Sequence, residues 1–164
     1  MQLNLTSLQA PWPVGTVLIA CAGETIVAVD FTLERLARLL SKRFGRVEFA
    51  PSRLYAPELQ AYLDGSLTAL QSLPAEAGGT EFQRRVWHRL REIPPGQTRT
   101  YSQVAESIGQ PRAARAVGLA NSLNPLSLIV PCHRLIGRSG SLTGYAGGLE
   151  CKRWLLKHES GGPC

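Results

Sequence analysis

The chain has 164 residues, is 44% hydrophobic and 18% charged, and carries a formal net charge of +6. That size and balance fit a globular protein of one large domain or two small ones. No apolar run reaches the roughly 18 residues a transmembrane helix needs, and no basic stretch followed by an apolar one opens the chain, so a cytoplasmic, bacterial-type protein is expected. The cysteines at 21, 132, 151 and 164 form no CxxC pair and stand at no zinc-ligand spacing from the histidines at 88, 133 and 158, which disfavours a structural metal.

Thr16–Cys21 and Thr25–Phe31 are β-rich segments around Ala22-Gly23-Glu24 and predict a hairpin. Leu33, Leu36, Leu39 and Leu40 recur at helical spacing and predict a helix over Leu33–Phe44. A short strand at Arg46–Phe49 and a short helix at Pro57–Leu63 complete a small α/β unit. Residues 72–79 (Ser-Leu-Pro-Ala-Glu-Ala-Gly-Gly) are linker-like, which divides the chain into an N-terminal α/β subdomain, 1–76, and a C-terminal domain, 77–164.

Thr80 is a good N-cap for a helix over Glu81–Glu92, with Phe82, Val86 and Leu90 as its core stripe and Trp87 packing beside them. Ile93-Pro94-Pro95-Gly96 ends it. Ser102–Ile108 and Ala113–Ser122 then read as two helices around Gln110-Pro111-Arg112, a helix-turn-helix pattern. The second helix is built from Ala113, Ala114, Ala116, Gly118 and Ala120 with Arg115 among them. It lacks the long polar side chains that read bases in the major groove, whereas small side chains suit close approach to a minor groove or, equally, tight helix packing. Residues 1–80 hold six Lys/Arg against seven Asp/Glu, and residues 81–164 hold twelve against five. A partner rich in negative charge, nucleic acid above all, is the inference for the second half.

Ile129-Val130-Pro131-Cys132-His133-Arg134 carries the chemistry. A thiol is a useful nucleophile only as thiolate, which a neighbouring base or positive field favours. Cys132 is the candidate nucleophile, His133 the candidate base, and Arg134 adds positive charge. The apolar residues before Pro131 read as buried, so the thiol belongs at the mouth of a core.

Taken together, Arg115-Ala116-Val117-Gly118, Asn124-Pro125, the 129–134 hexapeptide and Gly144-Tyr145-Ala146-Gly147-Gly148 resemble, in order and spacing, the O6-alkylguanine-DNA alkyltransferase family of direct-reversal DNA repair proteins. The resemblance runs without a gap from about residue 80 to Glu159. Before that point it extends only to length and strand-strand-helix order. It implies a ribonuclease-H-like N-terminal subdomain and a mainly α C-terminal domain with the helix-turn-helix. It also implies a suicide reaction on duplex DNA containing O6-alkylguanine: the nucleotide is flipped out, and Cys132 takes the alkyl group permanently. O4-alkylthymine is left open as a second substrate.

Within that resemblance His133 deprotonates Cys132 through a water and Glu159 orients the imidazole. Tyr101 donates to the departing base at its N3. Asn124 locks the turn leading to the cysteine segment. Arg115 enters the base stack, and Ala114, Gly118, Thr100 and Arg134 belong to the DNA-binding set. Tyr145, Ala146, Gly147, Ser127 and Pro131 line the substrate pocket, with backbone N–H groups of the 144–148 loop donating to the guanine O6. Lys152 matches a family lysine near the site, although a helix lysine otherwise reads as solvated. No cofactor or metal is implied, and a monomer is expected, with cooperative assembly on DNA left open. Two further readings stay open on the residues alone: a binder of alkylated DNA without chemistry, and a DNA-binding regulator.

Overall fold

The computed structural model describes residues 1–161; Cys164, and with it the last three residues of the expected C-terminal domain, lies outside them. Two compact units result, one of residues 1–78 with 125–129, the other of residues 79–124 with 130–164. The linker-like stretch thus ends at the division, but the C-terminal region is not continuous as expected. The chain leaves the second unit after Asn124 and re-enters it at Val130.

The first unit is a four-stranded sheet with two helices. Its elements are β1 (Gln2–Gln9), β2 (Thr16–Ala22), β3 (Thr25–Asp30), α1 (Leu33–Phe44), β4 (Glu48–Ser52) and α2 (Ala56–Leu63). The sheet order is β3-β2-β1-β4, with β1 antiparallel to β2 and parallel to β4. The hairpin forms where expected, turning at Gly23, whose φ of +61° is open to glycine at little cost. Strand β4 starts two residues later than anticipated and contains Pro51, which an edge strand tolerates. Strand β1 was not anticipated, because its polar residues break a clean alternation; its Leu3 joins Leu18, Ala20, Val27, Ala28, Leu36 and Leu40 in the core. The outer edge of β3 is covered twice, by Pro74–Glu76 bonded to Ile26 and by Pro125–Ser127 bonded to Val29. Covering it removes a row of unpaired backbone groups.

The second unit holds α3 (Glu81–Arg91), β5 (Arg99–Thr100), α4 (Tyr101–Ser107), α5 (Ala114–Ser122), a 3-10 turn (Cys132–Arg134), β6 (Leu135–Ile136) and α6 (Leu149–Glu159). Thr80 and Thr100 each start a helix through a reciprocal cap, with Gln83 and Gln103 returning the bond to the backbone. Val86, Trp87 and Leu90 are buried, and the Trp87 indole N–H donates to Ala120 O at 2.9 Å, so this ring packs against α5. Gly79 is required here: its φ is +81°, and a Cβ would come within 2.6 Å of the Trp87 ring.

Strands β5 and β6 pair in parallel over two residues, Arg99 with Leu135 and Thr100 with Ile136. This pairing places Tyr101, the residue after β5, beside the exit of the Cys132–Arg134 turn. Among the described residues no helix is long and apolar enough to cross a membrane.

Candidate active site

Pro131 sets up the cysteine. Its φ of −77° and ψ of 67° are those of an inverse γ-turn, closed by Cys132 N–H to Val130 O at 2.7 Å. Asn124, itself buried, ties the same place from outside the turn: its Nδ2 donates to Val130 O at 2.9 Å, clamping the two ends of the excursion through residues 125–129. Cys132 therefore begins the 3-10 turn on a backbone held at both sides, and it is only 4% exposed.

The imidazole of His133 is fully buried. Its Nε2 lies 2.7 Å from Glu159 Oε1, which assigns the proton to Nε2 and leaves Nδ1 as the basic lone pair. Nδ1 is buried and has no hydrogen-bond partner. Burial lowers the His133 pKa below its ordinary value, against the opposing pull of Glu159, so the ring is a neutral base at neutral pH. Burial acts on Glu159 in the opposite sense and would raise its carboxyl, yet hydrogen bonds from Arg134 and His133, with their charges, hold it well below the usual carboxylate range.

Arg134 departs from its expected role. It donates from Nε to Glu159 Oε2 at 2.9 Å and from Nη2 to Oε1 at 2.7 Å, and Nη1 donates to Ile93 O at 2.6 Å. A buried guanidinium with its fork filled by a carboxylate is not placed to meet DNA. It is instead the counter-ion that keeps Glu159 ionised, so that the carboxylate can orient His133.

Lys152 departs from the solvated reading. It is completely buried on α6, with Nζ donating to Leu135 O at 2.6 Å and to Thr143 O at 3.2 Å. Burial lowers its pKa, and the nearby Cys132 sulfur, when ionised, opposes that; the attraction is mutual. Cys21 and Cys151 are pushed up to about 11 and about 12, chiefly by burial, and stay protonated at neutral pH. Cys132, by contrast, directly precedes the buried imidazole of His133 and interacts electrostatically with the buried Lys152.

Tyr101 opens α4; its hydroxyl bonds Thr143 Oγ1, and its ring lies 3.5 Å from where a Cβ on Gly118 would stand. Gly118, expected to face DNA, is half-buried and faces the Tyr101 ring. Thr100, also expected at DNA, accepts from Gln103 N at 3.2 Å as the cap of α4. Arg115 is exposed on α5 and Ala114 half-buried at its start. Exposed with Arg115 along α5 are Ala116, Leu119 and Ser122, and Arg112 is exposed in the turn before it; Leu119, 62% exposed, was not singled out from the sequence.

Tyr145 packs edge-on against His133, with ring centroids 6.3 Å apart. Ala146 is exposed and Gly147 half-buried in the same loop, where the Gly148 N–H is committed to Tyr145 O and is not among the donors expected there. Pro131 is buried in the second unit, whereas Ser127 belongs to the first, where its N–H donates to Val29 O at 3.1 Å. Two clefts of the second unit, of about 280 and 400 Å³, are lined in part by Arg85, Arg89, Arg99 and Ser107 and include none of Cys132, His133 and Glu159.

Residues 81–161 match the profile of the 6-O-methylguanine DNA methyltransferase DNA-binding domain. The whole chain is 42% identical to the methylated-DNA–protein-cysteine methyltransferase of Shigella flexneri over 165 aligned positions, covering 96% of each. The chain belongs to the methylated-DNA–protein-cysteine methyltransferase family. The methyltransferase of Methanosarcina acetivorans is 45% identical over 148 residues, which are 90% of this chain and 93% of that one. In three dimensions this methyltransferase-family chain superposes on Mycobacterium tuberculosis OGT, crystallised in complex with DNA, with a TM-score of 0.81 at 38% identity, covering 98% and 96% of the two chains. Kinship therefore extends through the first unit, further than the motifs alone carried it.

Proposed function

We propose that the protein repairs duplex DNA by moving the alkyl group of O6-alkylguanine irreversibly onto Cys132. The observation that carries this reading is the buried His133–Glu159–Arg134 network, in which a neutral imidazole with an unpartnered Nδ1 directly follows the buried Cys132 in the chain. Nδ1 takes the thiol proton through a water, and the ionised Glu159 stabilises the cation that forms. The sulfur attacks the alkyl carbon, the bond from that carbon to O6 breaks, and its electron pair passes into the guanine. Tyr101 supplies a proton to the leaving base. The thioether left on Cys132 is inert, so each molecule reacts once.

A thiol this deeply covered cannot reach a base inside a stacked duplex, so the nucleotide has to be rotated out to it. The exposed Arg115 fills the vacated place in the stack, and α5 lies in the minor groove, its small residues permitting close approach. The short turn between α4 and α5 supports reading them as a helix-turn-helix, and the order β3-β2-β1-β4, with β4 parallel to β1, supports a ribonuclease-H-like first unit. Pro131, Tyr145, Ala146 and Gly147 of the second unit form the pocket for the base.

The test is to incubate the protein with excess duplex carrying one O6-methylguanine, then measure the intact mass and map the peptide. One methyl per chain on Cys132, with no further turnover, is expected. Repeated turnover, or tight lesion binding without a mass change, would overturn the reading. Arg115→Ala is expected to slow repair of duplex by about 10-fold or more while leaving the reaction with free O6-benzylguanine nearly unchanged.

A further inference from the structure

Thr143 lies in the loop between β6 and α6, exposed, and its side-chain hydroxyl bonds the hydroxyl of Tyr101. Its backbone is held independently, because Thr143 O accepts from the buried Lys152 Nζ at 3.2 Å, and that ammonium is itself fixed on Leu135 O at 2.6 Å. The Tyr101 ring faces Gly118 of α5, 3.5 Å from where a Cβ on that glycine would stand. A solvent-accessible threonine hydroxyl has water available as a partner, so its seat on the phenol is a consequence of the Lys152 anchor beneath the loop.

Either of the two oxygens can be the donor. At rest the phenol can give its proton to Thr143. Once a purine is in place that proton is needed by the base, and the phenol oxygen must then accept one. A hydroxyl is the side-chain group that accepts in the first state and donates in the second by rotating about one bond. A carbonyl can only accept, and a methyl does neither.

We propose that Thr143 is a positioning residue for the reaction: it holds the Tyr101 oxygen in place and, as that oxygen loses its proton to a ring nitrogen of the departing guanine, donates its own hydroxyl hydrogen bond to the phenolate. In that step the bond from sulfur to the alkyl carbon forms and the carbon–O6 bond breaks. The electron pair enters the purine, and the Tyr101 proton neutralises it. The phenolate is reprotonated from solvent after the base departs. The inference rests on the alkyl-transfer reading above and adds a residue that reading does not use.

The experiment is a double-mutant cycle on the single-turnover rate of methyl transfer to Cys132 from a saturating O6-methylguanine duplex, with the melting temperature of each variant recorded. Thr143→Val is expected to slow transfer by about 10-fold, the worth of one hydrogen bond made to a developing charge. Thr143→Ser, which keeps the hydroxyl, is expected to stay within about 2-fold of the parent. In a Tyr101→Phe background, Thr143→Val should cost nothing further. The proposal is overturned if Thr143→Val matches the parent, if it slows the Tyr101→Phe protein by its full factor, or if a folded Thr143→Ser is as slow as Thr143→Val. A parent that transfers no methyl removes the alkyl-transfer reading and this proposal together, whereas an active parent with an equally active Thr143→Val removes this proposal alone.

Discussion

Glu159 receives Arg134 through both of its oxygens and His133 through one, all out of water. Glu159→Gln keeps the shape but leaves the Arg134 guanidinium buried without a counter-ion, a loss of about 3–5 kcal/mol. For a chain of this length the expected fall in melting temperature is roughly 6–20 °C, measured by calorimetry. Alkyl transfer should fall as well, by about 100-fold or more, because the imidazolium loses its stabilising charge. His133 adds a pH dependence of definite sign. Its pKa in the folded chain lies below the ordinary 6.5, so the acid limb of the transfer rate should have its midpoint below 6.5. As pH falls through 6.5 the unfolded chain takes up a proton that the folded one refuses; the stability His133 contributes is therefore complete above 6.5 and is lost below it. Denaturant midpoints measured between about pH 8 and pH 5 should fall on the acid side in the parent and fall less in His133→Gln.

Helix α5 was legible as an element and ambiguous in purpose, since alanine and glycine serve both packing and groove contact. The structure divides the helix: Val117 and Ala120 are buried, Gly118 faces the Tyr101 ring, and Arg115, Ala116, Leu119 and Ser122 are exposed. A methyl on Gly118 would stand 3.5 Å from that ring, ordinary van der Waals contact, and the residue has no positive φ. Gly118→Ala is therefore expected to stabilise the fold by up to about 1 kcal/mol through helix propensity. The melting temperature should rise by about 2–4 °C. A drop in duplex affinity in that stabilised variant, read by fluorescence anisotropy, is the outcome expected if this face meets DNA. The helices α1 and α3 were read from sequence almost to the residue because 3.6-residue periodicity and, for α3, the cap Thr80 are local signals. Strand β1 escaped because its polar residues break the alternation, and pairing with β2 on one side and the distant β4 on the other makes it a strand.

Charge is a property of the whole molecule, and the sum over the second half overstates what a partner meets. Two of its twelve cations, Arg134 and Lys152, are buried in the site. Arg112 is among the arginines that stay exposed. Binding to duplex should weaken steeply with added salt, and replacing a cation that meets a phosphate should flatten the log–log slope by about 0.9. Arg112→Ala is expected to do so in a salt titration, whereas the reaction with free O6-benzylguanine should be nearly insensitive to salt.

The order of residues was enough to place the two helices between Thr100 and Leu123 and to single out Cys132 and His133 as the candidate pair, because each depends on near neighbours or on a run of fixed spacing. What only the folded chain decided is which charges face water. Arg134 became a clamp on a carboxylate 25 residues away, Lys152 an internal cation under the loop, Thr143 the partner of a phenol 42 residues earlier, and residues 125–129 part of the first unit, where they cover the β3 edge. The physical reason is the same in each case. A buried polar group must find its partner wherever packing brings one, and that partner's position in the chain depends on the path of the backbone, which spacing along the sequence does not reveal.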